Sequence, residues 1–303
     1  MNKIKYWLLA TAMVFAFGAC SEDDEPNPNV TVINMDNGEQ NDFDKYLEKT
    51  FVDTYNINFI YKWEDVESDM QYALVPAKVE NSIKMANLIK YLCLDAYEEV
   101  APEGFLKKYF PKMFMMVGSG GYRNNGTMVL GTAEGGLKIT LYLINELDVT
   151  DVQRLYSHYF RTIFHEFSHI LHQTKDYTTD FDKISATDYV GGSWNDAWKD
   201  EGDETIKQDE RWSKGFISDY ASKETNEDFV ELIAHYITNT PESWEAKLVT
   251  AGDTGRPILE QKITIVKSYM KDVWKIDMDA LRAAIQTRAE KLDEQDLDNI
   301  SIN

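Results

Sequence analysis

The stretch Arg161-Thr-Ile-Phe-His-Glu-Phe-Ser-His-Ile-Leu-His172 constrains this chain more than any other, because it reads as a helix with two unlike faces. At about 100° per residue, His165 and His169 stand roughly 40° apart and one turn from each other, so both imidazoles can reach a single ion. Leu155, Phe160, Ile163, Phe164, Phe167, Ile170 and Leu171 supply the apolar face. Glu166 falls beside the histidines, placed to hold a metal-bound water instead of the metal. With five histidines and 52 acidic residues in 303 positions, a random chain would show H-[DE]-x-x-H in roughly one case in seventy.

Such a pair of histidines needs a third ligand. A metzincin would place glycine at position 172 and histidine at 175, whereas this chain has His172 and Lys175, which excludes that completion. Asp176 is an isolated acid at short spacing. The segment from Tyr220 to Tyr236 offers more. Asn226 reads as an N-cap, acids crowd the first turn, and Phe229, Val230, Leu232, Ile233 and Tyr236 form an apolar stripe. Glu227 and Glu231, four apart, share one side of that helix. We assign one zinc ion to His165, His169 and Glu227, and give Glu231 the hydrogen bond from a ligand imidazole's free N–H. His172 lies a full turn beyond His169, in the cleft or supporting the site. His158 and His235 read as ordinary packing.

The N-terminus carries a different message. Lys3 and Lys5 precede an apolar run, and the segment ends Phe17-Gly18-Ala19-Cys20. Residues 1–19 therefore read as an export signal, too short to span a membrane. The small residues before Cys20 resemble the bacterial lipoprotein box, which implies cleavage there and lipidation of Cys20. The acidic run Ser21-Glu-Asp-Asp-Glu25 is similar to the surface-export signal of Bacteroidetes lipoproteins, so an outer-membrane protein facing outward is expected, with a periplasm-facing one as the alternative. Residues 20–40 form a flexible tether and 41–303 a single catalytic domain. Cys93, on an apolar helical face, is a core thiol, and no disulfide framework is possible. A net charge of −21 argues against nucleic acid.

Within the domain, the pattern predicts a helix over 42–55, a strand over 57–63 and a helix over 79–99. Strands follow at 113–117, 127–131 and 137–144, and Leu137 to Leu143 is the candidate edge for pairing with an extended substrate. Residues 173–219 lose periodicity and gather aromatics; a loop this long is usually functional, and Trp194 and Trp198 are expected at the cleft. Helices return at 258–273 and 277–292.

The Asn226-Glu227 pair with an acid at 231 resembles the glutamate zincins, and the spacing of Tyr220 to Glu227 is similar to the lethal-factor type, which implies that Tyr220 assists catalysis. Phe43-Asp-Lys-Tyr-Leu47, Gly131-Thr-Ala-Glu-Gly-Gly136, His165 to Gln173, Tyr189-Val-Gly-Gly-Ser-Trp194, Gly215 to Ala221 and Glu227-Asp-Phe-Val-Glu231 resemble the zinc-binding metallopeptidase lipoproteins of Bacteroidetes, also called substrate-import-associated zinc metallohydrolase lipoproteins. The resemblance implies an α+β, zincin-like fold. A mixed-sheet lobe (41–175) would carry the motif helix, beside a loop-rich, mainly helical lobe (176–303). It also implies partnership with a TonB-dependent import complex. The expected activity is peptide-bond hydrolysis with Glu166 as general base. An amidohydrolase acting on glycoprotein or peptidoglycan, and a non-catalytic zinc-containing binding accessory, are the alternatives.

Overall fold

The computed structural model describes residues 39–64, 72–122, 128–129, 131–134, 137–200, 203–206 and 208–302. The export signal, Cys20 and nearly all of the tether lie outside them. Residues 41–303 form one compact unit.

Helix α1 (residues 42–55) starts at a reciprocal cap: the Asn41 side chain accepts from the Asp44 backbone N–H while Asp44 accepts from that of Asn41. Its Phe43, Tyr46, Leu47, Phe51 and Tyr55 are all buried, the helical spacing that the sequence shows. Strand β1 (Asn58–Ile60) follows, then α2 (residues 79–100), which buries Cys93 as a free thiol. The short α3 (Phe105–Tyr109) leads into β2 (Met113–Met116), the two-stranded pair β3 (Gly121–Tyr122) and β4 (Met128–Val129), then β5 (Gly131–Glu134) and β6 (Lys138–Leu141).

The main sheet runs β1-β2-β6-β5, with β1–β2 and β2–β6 parallel and β5 antiparallel to β6. This corrects one expectation. Leu137 to Leu143 is not an edge: β6 sits between β2 and β5, and all four of its residues are buried, including Lys138 and Thr140. Helices cover one side of the sheet, and a small apolar cluster of Ile60, Met115, Val117 and Tyr142 lies on the other. The outer strands are β1 and β5, and β5 lies against the histidine-bearing helix.

That helix, α4 (residues 152–174), runs through a π-turn at Tyr156–Phe160 into Arg161–Thr174. Ile163, Phe164, Phe167 and Leu171 are fully buried. Phe167 is packed by Tyr97, Phe105 and Phe110, with ring centroids 5.3, 5.7 and 4.7 Å away. This anchorage fixes the rotation of α4, and hence where the opposite face aims its imidazoles.

The expected long loop is partly ordered as α5 (Asp180–Ile184), the ribbon β7 (Lys199–Asp200) and β8 (Asp203–Ile206), and α6 (Gln208–Ser213). Next comes α7 (Thr225–Thr238). Its N-cap is Glu224, not Asn226, whose side chain accepts from the Tyr177 hydroxyl at 2.7 Å. Helix α8 (Pro241–Trp274) is longer than the expected 258–273, with a break in helical geometry at Gly252. Helix α9 (Met278–Glu290) is capped by Asp277. One hydrophobic core draws residues from both ends of the domain, from Phe43 to Leu297. Among the described residues, no helix is long and apolar enough to cross a membrane.

Candidate metal centre

Helices α4 and α7 pack directly on each other, and the charged faces of both meet at one point. Nε2 of His165 and Nε2 of His169 are 3.1 Å apart. Oε2 of Glu227 lies 3.2 Å from the first and 3.1 Å from the second. Three potential donors thus form a nearly equilateral triangle. A tetrahedral ion with bonds of about 2.0–2.1 Å separates its donors by about 3.3 Å, so the triangle has the size such an ion requires. A proton on one imidazole bridges only a pair of these atoms, whereas a cation on the common axis reaches all three.

The outer nitrogens explain why the lone pairs point inward. Nδ1 of His165 is 2.7 Å from Oε1 of Glu231, which accepts its proton and leaves Nε2 free to ligate. Nδ1 of His169 is 2.9 Å from Nε2 of His172. Glu231 is held in turn by the Ser218 hydroxyl and by Nε2 of His235 at 3.3 Å. His235 therefore belongs to this network, beyond the plain packing role expected of it.

Glu227 presents one oxygen to the triangle because the other is occupied. Oε1 accepts from the Tyr220 hydroxyl at 2.7 Å and from Nζ of Lys223 at 2.8 Å. Burial alone would raise the Glu227 carboxyl, but hydrogen bonds from His165, His169, Lys223 and Tyr220 hold it far below the usual carboxylate range. Burial would likewise lower His165, yet Glu227 and Glu231 push its imidazole up to about 10. Without a metal, a proton serves as the cation of this cluster.

Glu166 also brings a carboxylate oxygen within 4.8 Å of the two imidazoles. Glu227 is nearer and is clamped by two donors. Burial raises the Glu166 carboxyl, the direction that suits a proton acceptor working near neutrality.

Residues 36–279, which contain every residue of this centre, match a family model described as "Putative zinc-binding metallo-peptidase". The chain belongs to that family. A crystal structure at 2.10 Å resolution bearing the same description, from Bacteroides caccae ATCC 43185, superposes with a TM-score of 0.75 at 41% identity, covering 86% of this chain and 96% of that one. No curated protein gives a significant match.

The remaining expected site residues fall in three places. Trp194 is part-exposed and meets Tyr220 edge-on, ring centroids 4.9 Å apart, so it stands at the rim. His172 is buried behind His169 and acts through it, not on the open cleft. Trp198 departs from expectation: it is 7% exposed, donates its indole N–H to Ser222 at 2.8 Å and packs near Phe216. Its apolar body finds a core position that an aperiodic sequence segment does not reveal. Lys223 and Ser218 escaped sequence reasoning. Lys223 precedes Glu227 by one helical turn and was detectable by that spacing, whereas nothing in the sequence points to Ser218.

Proposed function

We propose that this chain is a zincin-like zinc peptidase in which His165, His169 and Glu227 hold one catalytic ion. The observation that carries the reading is the triangle of Nε2, Nε2 and Oε2 atoms with sides of 3.1–3.2 Å, supported from behind by Glu231 and His172. Zinc held there would supply a Lewis acid and bring the pKa of water from 15.7 down to about 7. Glu166 accepts the proton of the attacking water and returns it to the leaving amine. Lys223 and Tyr220 keep Glu227 bound through a single oxygen. The Tyr220 hydroxyl, kept protonated by burial and by Glu227, turns from Glu227 to the substrate carbonyl oxygen as negative charge develops there, and Lys223 remains on Oε1. Strand β5, the outer strand beside α4, is the edge along which an extended peptide pairs.

The sequence signals at residues 1–25 support lipid attachment at Cys20 and exposure at the cell surface, and the resemblance to the import-associated lipoproteins supports an import-linked setting. The deciding experiment digests a peptide library with the zinc-loaded chain, with chelator-treated protein and with Glu166→Gln. Cleavage confined to the first sample, with zinc content unchanged in Glu166→Gln, is the expected result. Equal cleavage by all three would overturn the proposal.

A further inference from the structure

On the side of Glu231 away from His165, the fold gathers three cations. The chain has 52 acidic against 31 basic residues, so a buried lysine or arginine ordinarily finds a carboxylate close by. Among the described residues neither Arg161 nor Lys247 has a carboxylate within ion-pair distance, and Glu231 acts on Arg161 only from farther off. Arg161, one turn before His165 on α4, makes its hydrogen bond through Nε to the neutral hydroxyl of Thr238 at 3.3 Å. Lys247 on α8 rests its ammonium 4.9 Å from the centroid of the Trp212 ring, with no carboxylate within ion-pair distance among the described residues. Arg211 approaches the same ring, its guanidinium carbon 5.7 Å from the centroid. It is 8% exposed, its nearest described carboxylate is Asp219 at a loose 3.7 Å, and its Nε has no hydrogen-bond partner. His235 lies among them with Nδ1 also buried and unpartnered.

The charges act on one another. Burial, then repulsion from Arg161 and Arg211, lowers the Lys247 ammonium. Burial lowers His235, with Arg161 and Lys247 adding to the effect against the pull of Glu231. Asp219 and Glu231 are the acids facing Arg211, and Glu231 is already engaged by His165, Ser218 and His235. Three partly or wholly buried cations thus share two acids, the loosely placed Asp219 and the already engaged Glu231, a balance that an anion from outside would improve. Arg161 and Lys247 each retain some solvent exposure, so such a group has a way in.

We propose that Arg161, Arg211 and Lys247 form an anion subsite beside the metal centre, which receives a carboxylate of the substrate. The word substrate rests on the peptidase reading; the subsite itself does not. A guanidinium offers a planar pair of donors to a carboxylate and the ammonium a third, an arrangement that prefers a carboxylate over an uncharged amide. The carboxylate comes from an acidic side chain or from a chain terminus.

Two measurements test this. In the first, glutarate is titrated into the zinc-loaded chain, Glu166→Gln, Lys247→Met and Arg161→Gln while thermal unfolding is followed. Lys247→Met retains the packing on Trp212, and Arg161→Gln is an independent second variant. Glutarate should raise the Tm of the first two proteins by several degrees and leave both cation variants unmoved. No rise in the wild-type chain overturns the subsite, whether or not any peptide is cleaved. In the second, zinc-loaded Glu166→Gln binds amidated peptides carrying one internal glutamate or glutamine, and a glutamine peptide with a free C-terminus. A preference of about tenfold or more for glutamate, lost in Lys247→Met, assigns the subsite to a side chain; the same preference for the free terminus assigns it to the chain end. Equal binding of all three overturns the substrate assignment. Glutarate binding with no peptide bound or cleaved would overturn the peptidase reading alone.

Discussion

Oε1 of Glu231 lies 2.7 Å from Nδ1 of His165, and this one contact orients the ring and turns Nε2 toward Glu227 and His169. Glu231→Gln retains shape and loses the charge. It is expected to weaken zinc binding about 10–100-fold with little change in fold. Competition with a chromophoric chelator measures the loss, and wild-type affinity in the variant would show that His165 is oriented by something else.

Metal uptake should be linked to proton release. The folded, metal-free chain holds a proton on His165 up to about pH 10, while zinc needs the neutral imidazole. Binding at neutral pH must therefore expel that proton, and apparent affinity should rise about tenfold per pH unit from pH 6 to 9. Titration calorimetry in buffers of different ionisation enthalpy should return one proton released per ion; zero would show that the free site is already deprotonated.

Tyr220→Phe separates binding from chemistry. The hydroxyl removed is one of two donors to Oε1 of Glu227, and Lys223 remains. Zinc content should be retained and kcat fall about 10²–10³-fold, the usual cost of losing one oxyanion donor. A loss of zinc with kcat per bound ion unchanged would make Tyr220 a positioning residue only.

Stability rests on a pair outside the centre. Nζ of Lys262 and Oδ2 of Asp228 are 2.6 Å apart with both side chains fully buried, and the same ammonium donates to the Gly215 carbonyl at 2.8 Å. Lys262→Met strands a buried carboxylate and should cost about 3–5 kcal/mol in chemical denaturation. Adding Asp228→Asn should recover most of that. If the double variant is no better than the single one, the packing of Lys262 matters more than its charge.

Much of the metal centre was legible because helices impose a fixed angular spacing. His165, His169 and Glu166 follow from one turn of α4, and Glu227 and Glu231 from one turn of α7, so neither required knowledge of the fold. What escaped depends on contacts between elements far apart in sequence. Asn226 has the composition of an N-cap, but Tyr177 claims its side chain and the helix starts earlier. Lys138-Ile-Thr-Leu141 alternates like a strand with one wet face, yet both of its faces are covered by segments that the pattern itself does not name. Trp198 and Trp194 share an aperiodic stretch and have similar local sequence; only the fold sends one to the core and the other to the rim.

Gly215 has φ near +78°, and a Cβ there would fall 2.3 Å from Cγ2 of Ile258. With its carbonyl held by Lys262, the start of the Ser218–Tyr220 segment is fastened to α8. The third ligand, Glu227, follows soon after, 58 positions from His169. A change on α8 that loosens Ile258 or Lys262 is therefore expected to reach the site through residues 215–220, although α8 itself supplies none of the three converging donor atoms.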